Sequence, residues 1–135
     1  MAVKVMIVDD SFMMRMLIAD VVKADPDLSV VGDADNGKTA MDRVAGFAPD
    51  VVLLDIEMPV MDGLETLKRL KLASRAKVII VSSVAQVGSP QAMEARRLGA
   101  FDVIAKPSGA MSLDLKEKRG SEIVRAVRKA AGLPA

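Results

Sequence analysis

The sequence contains no cysteine and no histidine. Without thiols there are no disulfides, thiolate metal sites or thiol nucleophiles, a composition that suits a reducing cytoplasm. Without imidazole there is no Ser-His-Asp triad, no histidine zinc site and no phosphohistidine on this chain. Tryptophan and tyrosine are also missing and phenylalanine occurs three times, so base stacking has little to work with. Neither sign of charge is in excess. Nineteen basic residues against eighteen acidic ones leave +1, and no global field recruits nucleic acid. Met1 to Val8 is interrupted by Lys4 and runs into two aspartates, so it is neither a secretion signal nor a membrane span. The expectation is a cytoplasmic α/β domain with no nucleic-acid or membrane partner.

What is present is a core. Hydrophobic residues make up 51% of 135 positions, enough for a single domain spanning 1–135 that buries about 70% of its unfolded surface. Val51-Val-Leu-Leu54 runs straight into Asp55, and a short apolar run of this kind reads as a strand buried on both faces. Met58-Pro59 and Asp62-Gly63 then stop it, since proline cannot donate to a ladder and Asp-Gly is turn chemistry.

The other elements follow the same grammar. Val3 to Val8 is a first buried strand ending in Asp9-Asp10, and Asp10 or Ser11 caps a helix with Met14, Leu17, Ile18 and Val21 inward. Leu28 to Gly32 is a second strand. Asp35-Asn36-Gly37 turns into a helix over about Lys38 to Ala45, with Met41, Val44 and Ala45 inward. Leu64, Leu67 and Leu70 mark a third helix, and Val78 to Val81 a fourth strand ending in Ser82-Ser83. Ser89-Pro90 opens a helix that Gly99 stops. Phe101 to Ala105 is the fifth strand, ended by Lys106-Pro107. The core is thus expected over 3–109, a looser segment over 110–120, and a last helix over about 121–131 capped by Ser121.

Strands alternating with helices through short connections indicate a doubly wound parallel sheet, a (βα)5 three-layer sandwich. The flavodoxin-like order 2-1-3-4-5 suits this element count and puts the switch point between strands one and three. Asp9, Asp10 and Asp55 then end the strands flanking that point, while Ser82 and Lys106 end strands four and five. Each residue has an ordinary explanation: a cap for Asp10 and Ser11, a polar strand end for Ser82 and Ser83, solvation for Lys106, turn duty for Glu57 and Asp62. Their arrival at one edge is what argues for chemistry. Three carboxylates in one crevice raise each other's pKa unless a cation sits among them, and oxygen ligands alone suit Mg²⁺ or Mn²⁺. Lys106 and the Ser82 hydroxyl suit phosphoryl oxygens, and Asp55 has the chemistry of a nucleophile that forms an acyl phosphate.

Asp9-Asp10-Ser11, Asp55-Ile-Glu-Met-Pro-Val-Met-Asp-Gly63, Val81-Ser82-Ser83 and Lys106-Pro107 together resemble the receiver domain of two-component response regulators. The likeness covers essentially the whole chain. Glu57-Met-Pro-Val-Met-Asp-Gly-Leu-Glu65 and Ala105-Lys-Pro-Ser-Gly109 are similar to the receiver of the chemotaxis protein-glutamate methylesterase in particular. The resemblance implies that Asp55 takes a phosphoryl group from the phosphohistidine of a sensor kinase or phosphotransfer protein. It implies that Asp10, Asp55 and the Glu57 carbonyl hold Mg²⁺ directly, with Asp9 acting through water. Ser82, Lys106 and the Ser83 N–H would bind the phosphoryl oxygens, and the Lys106-Pro107 bond would be cis. The output would pass to a downstream protein, or to an effector domain C-terminal to Ala135, through a surface made by the fourth helix, fifth strand and fifth helix. Arg125, Arg128 and Lys129 would make that last helix basic.

Two departures from the family pattern stand out. The usual switch aromatic three residues before the lysine is replaced by Val103, and Phe101 on the same strand is either a partial substitute or core, leaving Ser82 to carry the switch. The esterase Ser, His and Asp would also have to lie beyond residue 135, so this chain is expected to be no enzyme beyond its own phosphorylation and dephosphorylation. A phosphohydrolase of the haloacid dehalogenase type would need Asp-x-Asp after strand one, where this chain has Asp9-Asp10-Ser11, and a cap domain. A flavodoxin would need a Ser/Thr-rich phosphate loop and aromatic rings, and is rejected.

Overall fold

Apolar residues with no polar face, strung four to six at a time, have to be covered on both sides, and that requirement builds the molecule. The computed structural model describes residues 2–106 and 112–134, and only the backbone over 112–118. Its strands are β1 (Val3–Val8), β2 (Leu28–Ala34), β3 (Val51–Leu54), β4 (Lys77–Ser82) and β5 (Asp102–Ala105). Its helices are α1 (Phe12–Lys23), α2 (Gly37–Phe47), α3 (Gly63–Ala73), α4 (Pro90–Arg97) and α5 (Ser112–Ala130). The sheet is parallel throughout, in the order β2-β1-β3-β4-β5. This is the flavodoxin-like doubly wound fold expected from the sequence.

Alternation along each strand divides the core in two. Val5, Ile7, Val51, Leu53, Ile79, Val81 and Ile104 pack with Ile18, Val21 and Val22 of α1 and Ile123 and Val127 of α5. Met6, Val8, Val52, Leu54, Val78 and Ile80 pack with Ala40 and Val44 of α2, Leu67 and Leu70 of α3 and Ala95 of α4. Both faces of β1, β3 and β4 are therefore dry. Burying a Val, Leu or Ile side chain contributes about 1.5–3 kcal/mol, and these strands supply most of the large ones.

Four helices start on a polar cap. Ser11, Asn36, Asp62 and Ser89 accept from the N–H groups of Met14, Thr39, Glu65 and Ala92 at 3.2, 2.9, 2.9 and 3.1 Å. Asp62, read from the sequence as a turn residue, is thus the cap of α3, a role worth about 1 kcal/mol. In α2 the inward face is Gly37, Ala40 and Val44, whereas Ala45, expected inward, is exposed. The helix starts at Gly37, so its buried stripe runs through 37, 40 and 44.

The larger correction concerns α5, which begins at Ser112 and not near Ser121. The segment expected to be loose is helical from 112 to 120. Gly120 resembles a stop signal in the sequence, but it lies where α5 meets α1: a Cβ built there would sit 3.5 Å from Val21. A mid-helix glycine costs about 1 kcal/mol, which tertiary packing of this kind overrides. Ser121 therefore lies within the helix, exposed, and does not cap it. Arg128 also ties α5 to the loop between α1 and β2, its guanidinium 2.9 Å from both Asp25 and Asp27. Arg128 therefore serves the fold and contributes less to a free basic face than its position in the sequence suggests.

The connection from β3 to α3 holds one strained residue. Val60 has φ 70° although it is β-branched and 78% exposed, a conformation that costs an L-residue about 1–2 kcal/mol. Met61 N–H donates to the Pro59 carbonyl at 2.7 Å, and the Met61 carbonyl accepts from Gly37 N–H at 3.1 Å, so the turn is held from both sides. Asparagine tolerates this conformation and loses no packing here. Val60→Asn should raise stability by about 0.5–1 kcal/mol in urea unfolding followed by circular dichroism.

Candidate functional site

The carboxyl ends of the strands converge, and they bring Asp9, Asp10, Asp55, Ser82 and Lys106 to one edge. Asp9 follows β1, Asp55 follows β3, Ser82 is the last residue of β4 and Lys106 follows β5. Asp9, Asp55, Ser82 and Lys106 are all buried. Asp10 is exposed at the mouth.

Lys106 is the hub. Its Nζ lies 2.6 Å from Asp9 Oδ2 and 3.7 Å from Asp55 Oδ2. Its backbone N–H donates to the Ser82 carbonyl at 3.1 Å, which joins the ends of β4 and β5. Asp9 is held by its other oxygen as well: Oδ1 accepts from Ser11 N–H at 2.9 Å. Asp55 Oδ1 accepts from Ile56 N–H at 2.8 Å, and Asp55 N–H donates to the Val8 carbonyl at 2.9 Å, across the β1–β3 seam. Carboxylate oxygens of Asp9, Asp10 and Asp55 lie within 4.8 Å of one another.

Burial pushes the Asp55 carboxyl above its ordinary range, Lys106 pulls it down and Asp9 pushes it up again, with hydrogen bonds from Ser82 and the Ile56 N–H lowering it less. The net direction is upward. Three carboxylates against one ammonium leave an excess of negative charge in a mostly dry crevice. A hard divalent cation fits that excess and the all-oxygen donor set, and Asp10 gives it a solvent-facing ligand.

Glu57 and Ser83 are exposed beside this cluster, on the loops after β3 and β4. Val103 is half-buried and packs into the core beneath α2, α3 and α4. Phe101 lies just before β5, 37% exposed, with its N–H donating to the Val78 carbonyl at 2.7 Å. It is in neither core cluster among the described residues, so the expectation that it might be core does not hold. The strand begins one residue later than its apolar pattern suggests because Asp102 is the first to pair with β4. The Lys106-Pro107 bond, expected to be cis, lies outside the described residues.

Several supports are invisible to motif reasoning. Gln86 Nε2 donates to the carbonyls of Ser83 and Lys106, each at 3.1 Å, and so stitches the β4–α4 loop to the lysine. Gly63 permits α3 to start against the Asp55 carbonyl, where a Cβ would fall 1.9 Å from that oxygen. Arg15 reaches back to the Asp9 carbonyl at 2.8 Å. For Gln86 and Arg15 no sequence signal exists, because both act on backbone carbonyls across loops. The Asp62-Gly63 pair did mark a turn, and its close approach explains why glycine stands second.

An open parallel sheet with an acidic pocket and a lysine at its switch point defines a class of domain before any comparison is made. The family model for the response regulator receiver domain matches residues 5–129. This chain belongs to the response regulator receiver domain family. A protein-glutamate methylesterase/protein-glutamine glutaminase of Syntrophomonas wolfei is 46% identical over 95% of the chain and 36% of its own length. One from Halalkalibacterium halodurans is 51% identical over 87% of the chain and 34% of its own. The chain thus spans about a third of the curated relatives it matches. Among solved structures, the response regulator domain of Thermotoga maritima CheB superposes with a TM-score of 0.92 at 37% identity, covering 100% of both chains. A chain from the complex of the CheA3 P1 domain with CheY6 of R. sphaeroides is 50% identical, with a TM-score of 0.77 over 96% of this chain and 97% of its own. Among the described residues no helix is long and apolar enough to cross a membrane.

The raised pKa of Asp55 has a stability consequence with a definite sign. At neutral pH folding must hold this carboxylate ionised against burial, and the cost disappears as pH falls through the raised folded value. Without divalent cation, Asp55→Asn should therefore melt higher than the parent at pH 7, and the gap should close under mild acid. Calorimetry across pH reads the difference. A pH-independent gap would mean that burial does not set the Asp55 titration.

Proposed function

We propose that this domain is a phosphorylation-dependent switch in which Asp55 accepts a phosphoryl group from a phosphohistidine on a sensor kinase or phosphotransfer protein. The observation that carries this reading is the buried Lys106 ammonium shared between Asp9 and Asp55, beside a third carboxylate at an open sheet edge. Asp55 supplies the nucleophilic oxygen. Its bond to phosphorus forms as the bond from phosphorus to the donor's imidazole nitrogen breaks, and that nitrogen takes up a proton. Lys106 is poised to swing its ammonium to a phosphoryl oxygen, while Ser82 Oγ and the Ser83 N–H serve as donors.

Asp10, Asp55 and the Glu57 carbonyl would hold Mg²⁺, or Mn²⁺ in its place, with Asp9 acting through water. The cation, when bound, neutralises charge on the transferring phosphoryl oxygens. The exposed Phe12, Met13 and Met16 on α1 lie next to Asp10 and offer a docking rim for the donor. The relatives are methylesterases in chemotaxis nomenclature, and the output of this domain would go to an attached effector of that type or to a separate protein. The switching surface would be α4, β5 and α5, biased through Ser82 and the β4–α4 loop that Gln86 anchors. Val103 replaces the usual aromatic, and Phe101 is too far toward the strand start to act for it. A cytoplasmic setting follows from this role.

Phosphate-affinity electrophoresis after incubation with acetyl phosphate should show a retarded band that needs Mg²⁺ and is lost in Asp55→Asn. Ser82→Ala should slow its appearance by about 100-fold to 1,000-fold, the scale of one transition-state hydrogen bond. A retarded band in Asp55→Asn, or one that forms equally well in chelator, would contradict the assignment. Phe101→Ala should leave the band's rate of formation unchanged, and a slower rate would bring Phe101 back into the switch.

A further inference from the structure

Arg15, like Arg128, is held largely out of solvent by its partners. Its side chain is 15% exposed, and its Nε donates to Asp33 Oδ2 of β2 at 3.0 Å. One terminal nitrogen donates to the backbone carbonyl of Asp9 at 2.8 Å. The guanidinium carbon stands 5.6 Å from the centre of the Phe12 ring, so the side chain is held on a third side. Asp33 is fixed in turn, because Arg43 donates to its carbonyl at 2.8 Å.

These contacts complete the restraint of one residue. The two carboxylate oxygens of Asp9 are taken by Lys106 and by Ser11 N–H. Asp9 N–H donates to the Ala34 carbonyl at 3.1 Å. Arg15 takes the last acceptor, the carbonyl oxygen. That carbonyl belongs to the peptide joining Asp9 to Asp10, so its direction sets the backbone from which the exposed Asp10 carboxylate projects. Asp10 itself accepts no hydrogen bond among the described residues, so it is aimed only through its backbone.

We infer that Arg15 is a positioning residue for the divalent cation: by bridging the Asp9 carbonyl to Asp33 it orients the Asp9–Asp10 peptide and preorganises the acidic pocket. This rests on the reading that the pocket binds a divalent cation. Groups that orient ligands from behind typically change metal affinity by about 10-fold to 100-fold. The charge of Arg15 pulls the other way. A cation near the pocket repels another, so loss of charge alone would tighten metal binding. Positioning and electrostatics therefore predict opposite signs for the same substitution.

The test is Mn²⁺ affinity, read from the electron paramagnetic resonance signal of free Mn²⁺, on the parent, Arg15→Ala, Arg15→Lys and Asp33→Asn, with folding checked by circular dichroism. Arg15→Ala should bind roughly tenfold more weakly or worse, and Arg15→Lys should recover part of the loss, since one ammonium can reach the Asp9 carbonyl. Asp33→Asn, which keeps an acceptor for Arg15, should fall between parent and Arg15→Ala. Equal or tighter binding by folded Arg15→Ala overturns the inference while leaving the metal pocket standing. If the parent itself binds no Mn²⁺, or binds as well after Asp10→Ala, the metal reading fails and this inference fails with it.

Discussion

The structure depends on one buried ammonium. Lys106 stands between Asp9 and Asp55, and without it two buried carboxylates and an exposed third would face one another across the sheet edge. Removing one partner of a buried ion pair costs on the order of 3–5 kcal/mol, because the charge left behind has no water to turn to. The asymmetry of the contact is informative. Lys106 is close to Asp9 and looser on Asp55, the residue whose carboxyl burial pushes upward. Of the two buried acids, Asp55 is therefore the one whose charge is less compensated.

Everything around this contact serves to keep it in place. β1 and β3 bring Asp9 and Asp55 side by side through a register of four paired residues, and β4–β5 pairing delivers Ser82 beside Lys106. The loops carry strain or close approach at the points that matter: Gly63 against the Asp55 carbonyl, Gly37 against the Met61 carbonyl, Val60 at positive φ. A dry two-sided core makes the strand ends rigid, so loops can present chemistry without moving the residues that perform it.

Much of this was legible in the sequence, for a physical reason. A parallel sheet covered on both faces needs unbroken runs of Val, Ile and Leu, and such runs end abruptly where polar groups are wanted. Val51 to Leu54 followed by Asp55 shows both at once. Right-handed crossovers then leave few windings, so the meeting of Asp9, Asp55, Ser82 and Lys106 could be read from topology. The start of α5 could not, because Gly120 carries a local stop signal that contact with Val21 overrides. The phase of α2 could not be read either, because the exposed Ala45 and the buried Ala40 look alike in a periodic pattern. The links that Gln86 and Arg15 make to the site carry no sequence signal, because they end on backbone carbonyls, which no residue type announces.

In the proposed function, a carboxylate oxygen of Asp55 accepts the phosphoryl group. An acyl phosphate, unlike a phosphoester on Ser82 or Ser83, is cleaved reductively by borohydride to leave homoserine at the former aspartate. Mass spectrometry of the acetyl-phosphate-treated, Mg²⁺-loaded and borohydride-reduced protein reads this directly. Homoserine is expected at position 55 and nowhere else. Homoserine at position 9 or 10 with position 55 intact, or phosphate retained on a serine, would contradict it.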